Sequence, residues 1–537
     1  MQSPSVRQQS GTAVLWPVIA RSESHMYRFP AGLIAVLLVA TACTASTSPS
    51  ASPSVSASSA SPTATATGPL TSVAPSPSAV EPAETPSMTP SAVSTPSATP
   101  TPAPSTTASP PATPSPTPTP APSAGSGGLQ VLKLGVRDTS PDVPAADLQK
   151  LVHGNTAFAL DLYRRLAKGN ADNIVFGPYS ISTAFGMLNP GVAGTTASQI
   201  DDVLHFTMPT ERLDPAFNEL SLLLASRQNP KLAISIADRL FGQQDYPFQD
   251  EYLRELTTQF GAPMIAVDYR NEPEQDRILI NQWVADQTNQ AIKHLIAPAQ
   301  ITQATRFALV NAMYLNAKWA QKFEASFTRD QDFNLEGGSH VQVPMMFEEP
   351  SAPIAITPDY QAIDLPYKGD QLSMLMVMPS DMASFETTLT PGGLTRIVDS
   401  LESQWLSLDL PKFSIRTRAS LGDELQKMGI NAAFCPSASA ECPDAADFSG
   451  MADPDALAAI HETLSVSAVI HQAWIKVAEA GTEAAAATAI IGGGDTAGAG
   501  PEFSIRLDHP FMWFIRDRQT GTILFMGRVM DPSQVAR

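Results

Sequence analysis

Apolar positions from residue 147 onward follow a helical period in some stretches and a strand period in others. Between residues 147 and 168, leucine, valine, alanine and phenylalanine recur every three or four positions. This spacing predicts an amphipathic helix, with Asp147 as its expected N-cap. Similar but shorter patterns predict helices over Ser180–Leu188, Asp276–His294 and Leu421–Lys427.

Apolar runs of strand length lie between and after these helices. They are rich in branched and aromatic side chains, and several are bounded by turn residues. The predicted strands are Asn173–Phe176, Leu232–Ile236, Phe307–Leu315, Leu372–Met378, Leu406–Leu410, Ala473–Val477, Phe503–Leu507, Phe511–Arg516 and Ile523–Arg528. Helices are more frequent early and strands late, an order that favours an α+β domain with large sheets.

The N-terminal part of the chain has a different composition. Residues 44–128 consist almost wholly of Ser, Thr, Pro and Ala, and they hold 20 of the 48 prolines. They contain too few apolar side chains to offset the entropy lost on ordering, so we expect an extended, mobile stalk. Residues 129–537 have the composition of one globular domain with a large core.

A short apolar run, Leu33–Val39, precedes the stalk and is too short to span a bilayer. Residues 1–43 are therefore predicted to be a signal peptide, with Met26 as an alternative start. The run leads into Ala40–Cys43, which resembles a bacterial lipobox in which Cys43 is lipidated. The same residues also fit an A-x-A signal-peptidase site. Both interpretations place the protein outside the cytoplasm, and the first anchors it to the outer face of the cell membrane.

Charge and residue spacing exclude several classes of function. The formal net charge is -19, which argues against a nucleic-acid partner. The eight histidines form no metal-spaced pair, so we expect no metal and no cofactor. Neither a G-x-S-x-G nor an H-E-x-x-H motif is present, and this argues against a hydrolase and against an enzyme in general. An oxidising compartment allows a disulfide between Cys435 and Cys442.

The stretch Glu479–Ala489 is ambiguous when it is considered alone. Its alanines favour an ordinary surface helix. The flanks argue otherwise, because the predicted strand Ala473–Val477 runs directly into it. The glycine-rich stretch Gly492–Gly500 follows, which is typical of an exposed, flexible segment.

Five stretches, in order along the chain, resemble the serpin family. They cover most of residues 145–532 and comprise Asn173–Ser182, Leu309–Leu315 with Trp319 and Phe323, Asp364–Gly369 with Ser373 and Met374, Leu410–Phe413 with Asp447–Met451, and His471–Ala489 with His509–Phe511 and Leu524–Arg528. The resemblance implies a serpin fold with a large central β-sheet, two further sheets, eight or nine helices and an exposed reactive loop.

The resemblance also implies a function. Such a protein is a monomer that inhibits serine-type endopeptidases, or cysteine-type ones, by suicide-substrate trapping. The peptidase cuts the loop, and the loop then inserts into the large sheet before the acyl-enzyme is hydrolysed. The alternative is a non-inhibitory serpin-fold surface protein that binds a ligand or a partner.

The resemblance assigns the hinge of the loop to a run of small residues. Inserted side chains alternate in direction, so the inward set would be Thr482, Ala484, Ala486, Thr488 and Ile490. The hinge comprises Glu479, Gly481, Thr482, Glu483, Ala484, Ala485, Ala486, Ala487 and Thr488. Small inward residues favour inhibition, since burying an unpaired charge there would cost several kcal/mol.

The reactive bond follows from the same resemblance. In inhibitory relatives it lies sixteen residues after the glutamate at the start of the hinge, which gives cleavage between Asp495 and Thr496. Two target classes remain open: an Asp-preferring peptidase, or an elastase-like enzyme that cuts beside Thr496 or Ala497.

Two further groups of residues match positions that control insertion in the family. Ser180, Asn311 and His471, here called the gate cluster, match a polar cluster beneath the large sheet. The family has a second serine there, which Gly177 replaces, so we expect one hydrogen bond fewer. Trp319 and Lys412 match positions near the top of the sheet, where Lys412 is expected to pair with Glu479.

Overall fold

A computed structural model describes residues 130–440, 442–482 and 500–534. The predicted signal peptide and stalk, with Cys43, lie outside the described residues. So do the hinge residues Glu483, Ala484, Ala485, Ala486, Ala487 and Thr488 and the predicted reactive bond between Asp495 and Thr496.

Ten α-helices lie in the described part of the chain, one more than the upper number expected. The helices are α1 (Ala145–Ala167), α2 (Pro178–Leu188), α3 (Gly194–Leu204), α4 (Thr210–Ser226), α5 (Asp250–Thr258), α6 (Pro273–Gln287), α7 (Met382–Thr388), α8 (Pro391–Asp399), α9 (Gly422–Met428) and α10 (Pro454–Ala459).

Seventeen strands accompany these helices in the described residues, and each predicted strand corresponds to one of them. The strands are β1 (Gln130–Leu132), β2 (Ile174–Phe176), β3 (Leu232–Gln243), β4 (Met264–Val267), β5 (Phe307–Lys318), β6 (Arg329–Asn334), β7 (His340–Glu348), β8 (Ser351–Ile356), β9 (Tyr360–Pro366), β10 (Leu372–Pro379), β11 (Glu402–Pro411), β12 (Phe413–Ser420), β13 (Val469–Ala478), β14 (Gly481–Thr482), β15 (Phe503–Arg506), β16 (Phe511–Asp517) and β17 (Ile523–Val529).

The large sheet has seven strands in the order β1-β4-β3-β5-β14-β13-β12. Its two central strands, β5 and β13, are paired differently at their two ends. Strands β5 and β13 pair directly and in parallel from Leu309–Val469 to Tyr314–Trp474. Beyond that point the two-residue strand β14 lies between them and pairs antiparallel with both. The sheet therefore has a slot at one end of its two central strands, and β14 occupies it.

The remaining strands form a second hydrogen-bonded system in the order β2-β17-β16-β10-β9-β8-β11-β7-β6, with β15 paired to β11. Strand β11 joins two ladders, because Glu402–Trp405 pairs with β8 and Leu408–Pro411 pairs with β7. The two further sheets that we expected are thus present and share this strand. Strand β15 runs parallel to β11, with Ile505 opposite Leu408.

Helix α1 confirms the predicted amphipathic helix, but its start differs from the prediction. Pro144 is the N-cap residue, and no side chain caps the helix. Asp147 is instead buried inside the first turn, where Arg212 on α4 donates from Nε to its Oδ2 at 2.8 Å. The ion pair with Arg212 takes the place of the predicted cap. The carboxylate of Asp147 faces α4 and not the unbonded amides at the start of its own helix.

Helix α6 covers one face of the large sheet. Its Ile280 and Val284 pack in one cluster with Ala312 of β5 and Ile470 of β13. The helix ends at Gln287, earlier than the helical pattern up to His294 predicted. The two residues Asn289 and Gln290 have positive φ angles of 50° and 65°, so the helix cannot continue through them.

Two features are absent from the described residues, a membrane-spanning helix and a cluster of metal ligands. Among the helices that the structure describes, none combines the length and the apolar character needed to cross a membrane. The same residues contain no group of three or more His, Cys, Asp or Glu side chains placed to hold a metal ion.

Candidate functional site

The first inward hinge residue, Thr482, lies inside the large sheet of the uncleaved chain. It pairs with Ala317 of β5 on one side and with Val477 of β13 on the other, and its side chain is fully buried. Its Oγ1 is 2.7 Å from the hydroxyl of Tyr367. The exposed loop that the sequence predicts is therefore buried at its first inward position, because the slot between the central strands accommodates a small polar side chain.

Gly481 allows this entry because only glycine fits its position. Its φ angle is +144°, a conformation that other residues rarely adopt. A Cβ atom built there would lie 2.1 Å from the carbonyl oxygen of Ala317 and 2.6 Å from the Cα of Lys318. Any side chain at this position would therefore push β14 away from β5.

Three consecutive backbone carbonyls lead into β14, and all three accept hydrogen bonds from one neighbouring segment. The indole Nε1 of Trp319 donates to Ala478 at 3.0 Å, and its backbone amide donates to Ala480 at 3.2 Å. The amide of Phe323 donates to Glu479 at 2.9 Å. These bonds fix the path of the chain just before it enters the slot.

Trp319 also packs against Tyr367, the residue that bonds to Thr482 in the slot. Its ring is stacked on that of Tyr367, with centroids 4.7 Å apart and an angle of 5° between the planes. Both rings are fully buried. Tyr367 thus contacts the hinge directly through its hydroxyl to Thr482, and its ring stacks on Trp319, which bonds to the carbonyls before β14.

The predicted pair between Lys412 and Glu479 is present at the start of the hinge. The ammonium Nζ lies 3.0 Å from the carboxylate, and the hydroxyl of Thr328 donates to the same carboxylate at 3.0 Å. Partial burial by itself would raise the pKa of Glu479. Hydrogen bonds from its own backbone amide, from Lys412 and from Thr328 outweigh that effect, and the pKa is lowered.

The gate cluster also comes together, beneath the parallel pair of central strands. The amide of Asn311 on β5 donates to Oγ of Ser180 on α2 at 2.7 Å. Its carbonyl oxygen bonds with Nδ1 of His471 on β13. One buried asparagine therefore links helix α2 to both strands that would have to part.

Gly177 contributes to this cluster through its backbone. Its amide donates to Nε2 of His471 at 3.1 Å, so the proton of the neutral ring lies on Nδ1, facing Asn311. The hydrogen bond that we expected to be absent is thus supplied by the main chain. Complete burial lowers the pKa of His471 to about 3, because the charged ring would lose its contact with water.

Sequence reasoning missed Asp238, the fourth side chain of this network. It lies opposite Asn311 in the β3–β5 register and accepts a bond from its amide at 2.7 Å. Its second oxygen is buried and has no hydrogen-bond partner among the described residues. Burial raises the pKa of Asp238 well above its usual value. No sequence pattern signalled this role, since Asp238 interrupts an apolar strand without belonging to a motif.

The structure also joins Cys435 to Cys442 by a disulfide, with their Cα atoms 6.1 Å apart. Inside the closed loop, the amides and carbonyls of Ser439 and Cys442 bond to each other at 2.7 and 3.2 Å. The disulfide therefore closes a compact loop between α9 and α10.

Comparisons with known proteins identify the family to which this fold belongs. The family model described as serpin, serine protease inhibitor, matches residues 153–532. A serpin-like protein of Thermococcus kodakarensis is 35% identical over 385 residues, covering 71% of this chain and 86% of its own. Human leukocyte elastase inhibitor is 32% identical over 402 residues, covering 72% of this chain and all of its own (100%). This chain belongs to the serpin family.

Solved structures agree with this assignment and show the functional range of the fold. Human thyroxine-binding globulin in complex with its ligand is 29% identical and superimposes with a TM-score of 0.63 over 72% of this chain and 100% of its own. Uncleaved ovalbumin has a TM-score of 0.62 at 24% identity and shares the fold. The family is mostly inhibitory, but it also contains members that do not inhibit peptidases. Membership alone therefore does not decide whether this chain is an inhibitor, and that depends on its own residues.

Proposed function

We propose that this protein inhibits a serine-type endopeptidase by suicide-substrate trapping, with its reactive loop inserting into the large sheet after cleavage. The observation that carries the proposal is the position of Thr482, which is already buried as a central strand residue between β5 and β13. A loop that begins inside the sheet needs only to extend the same strand.

Extension requires β5 and β13 to separate along the pairs from Tyr314–Trp474 down to Leu309–Val469. The parallel ladder between these strands would be replaced by two antiparallel ladders, one on each side of the inserted loop. Antiparallel pairing is slightly more stable per residue. The inserted state therefore gains backbone hydrogen bonds, and this gain supplies the driving force.

The gate cluster opposes separation until cleavage has occurred. Asn311 and His471 pair directly across the two strands, so inserting a strand between them breaks their buried hydrogen bond. An orphaned buried polar group costs roughly 1–3 kcal/mol. This cost slows spontaneous insertion but is small compared with the gain from a complete central strand.

Trapping works as a race between two steps. The peptidase forms an acyl-enzyme with the loop, and hydrolysis of that ester would release it. Insertion that is faster than hydrolysis moves the attached peptidase and deforms its active site. The small residues Ala484, Ala486 and Thr488 favour this outcome, since continued alternation from Thr482 would turn them into the core.

A non-inhibitory binding role is the alternative, and the composition of the hinge argues against it. A loop that never inserts has no need of small side chains at alternate positions. It also has no need of a glycine at position 481, where any Cβ atom would collide with the backbone of β5.

The test is to incubate the full chain with a panel of peptidases that includes elastase-like and Asp-preferring enzymes. We expect one class to form an SDS-stable complex and to release a C-terminal peptide. Mass spectrometry of that peptide identifies the cut bond, with Asp495–Thr496 as the expected position. The absence of a complex with every enzyme that cuts the loop would support the binding role.

A matched pair of variants separates insertion from cleavage. Ala484→Arg places a guanidinium on the predicted inward face, and Ala485→Arg places one on the outward face. We expect the first to be cut as a substrate without complex formation and the second to inhibit. Equal inhibition by both variants would overturn the proposed insertion.

A further inference from the structure

A basic groove lies on the face of the large sheet that α6 covers. It has a volume of about 590 Å³ and runs between the segment after α6 and the strands β12 and β13. Its basic side chains are Lys293 and His294 on one wall and Arg416 and Arg418 on the other, and we call these four residues the basic groove.

The register of β12 against β13 explains why the arginines lie together. Arg416 pairs with Trp474, and Arg418 pairs with Gln472. Residues two apart on a strand point to the same side, so both arginine side chains face the groove from backbone positions about 7 Å apart along β12. Both arginines are exposed. The exposed Lys476 extends the same face by one further position.

The positive charge of the groove is not neutralised by the described part of the protein. Arg418 donates to the carbonyl of Leu295 at 2.9 Å and to the amide oxygen of Gln300 at 3.2 Å. The guanidinium of Arg416 lies over the ring of Trp474, 5.2 Å from its centroid. No carboxylate lines the groove. Lys293, Arg416 and Arg418 form no ion pair with any described residue.

This arrangement contrasts with the rest of the molecule. The chain carries a net charge of -19. Elsewhere, arginines such as Arg227, Arg516 and Arg528 each form an ion pair with a carboxylate. Uncompensated cations that share one concave surface repel each other, and such a surface concentrates anions from solution.

The end of α6 does not account for the basic groove. The negative C-terminal end of a helix attracts cations, which applies to Lys293 and His294 shortly after Gln287. It does not apply to Arg416 and Arg418, which belong to another element. Asp286, the nearest preceding acid, already accepts hydrogen bonds from Gln282 at 2.8 Å and from Gln290 at 3.0 Å.

We propose that the basic groove binds a polyanion that carries several phosphate or sulfate groups. Guanidinium groups bind the oxygens of such groups through paired, charge-assisted hydrogen bonds. Lys293 and His294 add charge from the opposite wall, and the amides of Asn289 and Gln472 reach hydroxyl or ester oxygens between the charged groups. A ligand with several anionic groups fits better than a single anion, because the cations lie on both walls.

Inositol hexakisphosphate is a suitable probe, with uncharged myo-inositol as its control. We expect calorimetry on the full chain at low salt to show binding of the first and not of the second. The Arg416→Gln/Arg418→Gln variant should lose about tenfold or more in affinity, as expected when one or more charge-assisted bonds are removed. A matched variant, Lys231→Gln/Arg254→Gln, removes two exposed cations elsewhere and should bind like the parent.

Lys293→Gln tests the opposite wall, and it keeps the test valid if loss of the Arg418 bonds disturbs folding. It should also weaken binding. Dextran sulfate against uncharged dextran distinguishes a polymeric source of the anionic groups from a small one. The proposal is overturned if the parent binds none of the charged probes, or if the matched variant weakens binding as much as the arginine variant does.

Discussion

The hydroxyl of Tyr367 lies 2.7 Å from Oγ1 of Thr482, and both groups are buried beneath the entrance of the central slot. Tyr367 belongs to the turn after β9, whereas Thr482 is the last described residue of the hinge. The bond therefore ties the hinge to the turn that follows β9.

Tyr367→Phe should loosen this attachment without creating a cavity. The Thr482 hydroxyl would lose its partner while staying buried, at a cost of about 1–3 kcal/mol. We expect a lower unfolding temperature and faster hydrogen exchange at residues 478–482. Adding Thr482→Val removes the orphaned hydroxyl and should recover part of the loss. Tyr360→Phe, which alters a phenol at the surface, should leave both measurements unchanged.

Gly481→Ala should expel β14 from the sheet. The added Cβ cannot coexist with the Ala317 carbonyl at 2.1 Å, and the φ angle of +144° disfavours alanine independently. We expect new proteolytic cuts around residues 479–482 and a loss of inhibitory activity. Gly338→Ala is the control, because that residue has a φ angle of +86° but nothing within 4 Å of its Cβ position. Similar behaviour of the two variants would attribute the effect to backbone strain and not to the close approach.

His471 should make the protein sensitive to mild acid. Its pKa is about 3 in the folded state against an ordinary value of 6.5, so the unfolded chain binds more protons between these values. Stability should therefore fall as the pH is lowered from 6.5 towards 3, by up to about 1.4 kcal/mol per pH unit from this group. Asp238 acts in the opposite direction, because its raised pKa stabilises the fold most at low pH.

Comparison with His471→Gln isolates the histidine contribution. The variant can retain bonds to Asn311 and Gly177 but cannot take up a proton. Its urea midpoint should fall less than that of the parent between pH 6.5 and 4. His153→Gln, at an exposed site on α1, should follow the parent. Parallel curves for the parent and the His471 variant would contradict the role assigned to burial.

Reduction of the Cys435–Cys442 disulfide should destabilise its own loop more than the sheets. Closing so short a loop contributes roughly 2 kcal/mol to stability in the chain-entropy account. We expect Cys435→Ser/Cys442→Ser to increase hydrogen exchange at residues 435–446 while the gate cluster keeps its protection. Global unfolding of this variant under native conditions would show that the loop supports the whole domain.

We also propose that Cys43 carries a lipid that anchors the protein to the outer face of the cell membrane. The support is the lipobox-like sequence before it and the long stalk composition after it. Growth with a labelled fatty acid should tag the parent protein. Cys43→Ala should lose the tag and be released into the medium, and a tag that persists would refute lipidation.

The sequence predicted the strands well, because apolar runs such as Phe307–Leu315 and Ile523–Arg528 must lie in a buried sheet. It also predicted which residues meet at the gate and at the start of the hinge, through family resemblance. It did not predict Asp238, Tyr367 or Thr328. Their roles depend on register between strands distant in sequence, and neither composition nor spacing encodes that register.

The depth of Thr482 also lay beyond sequence reasoning. Alternation shows which side chains would face inward once a strand forms, but not how far the strand extends before cleavage. That extent depends on the balance between the bonds of the slot entrance and the gate cluster.

The pairing of β15 with β11 imposes an order of events on protein synthesis. Phe503–Arg506 follow the loop in the chain, so the loop leaves the ribosome before the strand that fixes its far end. In some molecules the loop would insert fully before Ile505 reaches its place beside Leu408. Such a molecule would be folded and stable, but it would have no exposed loop for a peptidase to cut. For the proposed function, the yield of inhibitory molecules should therefore depend on how quickly the final strands dock.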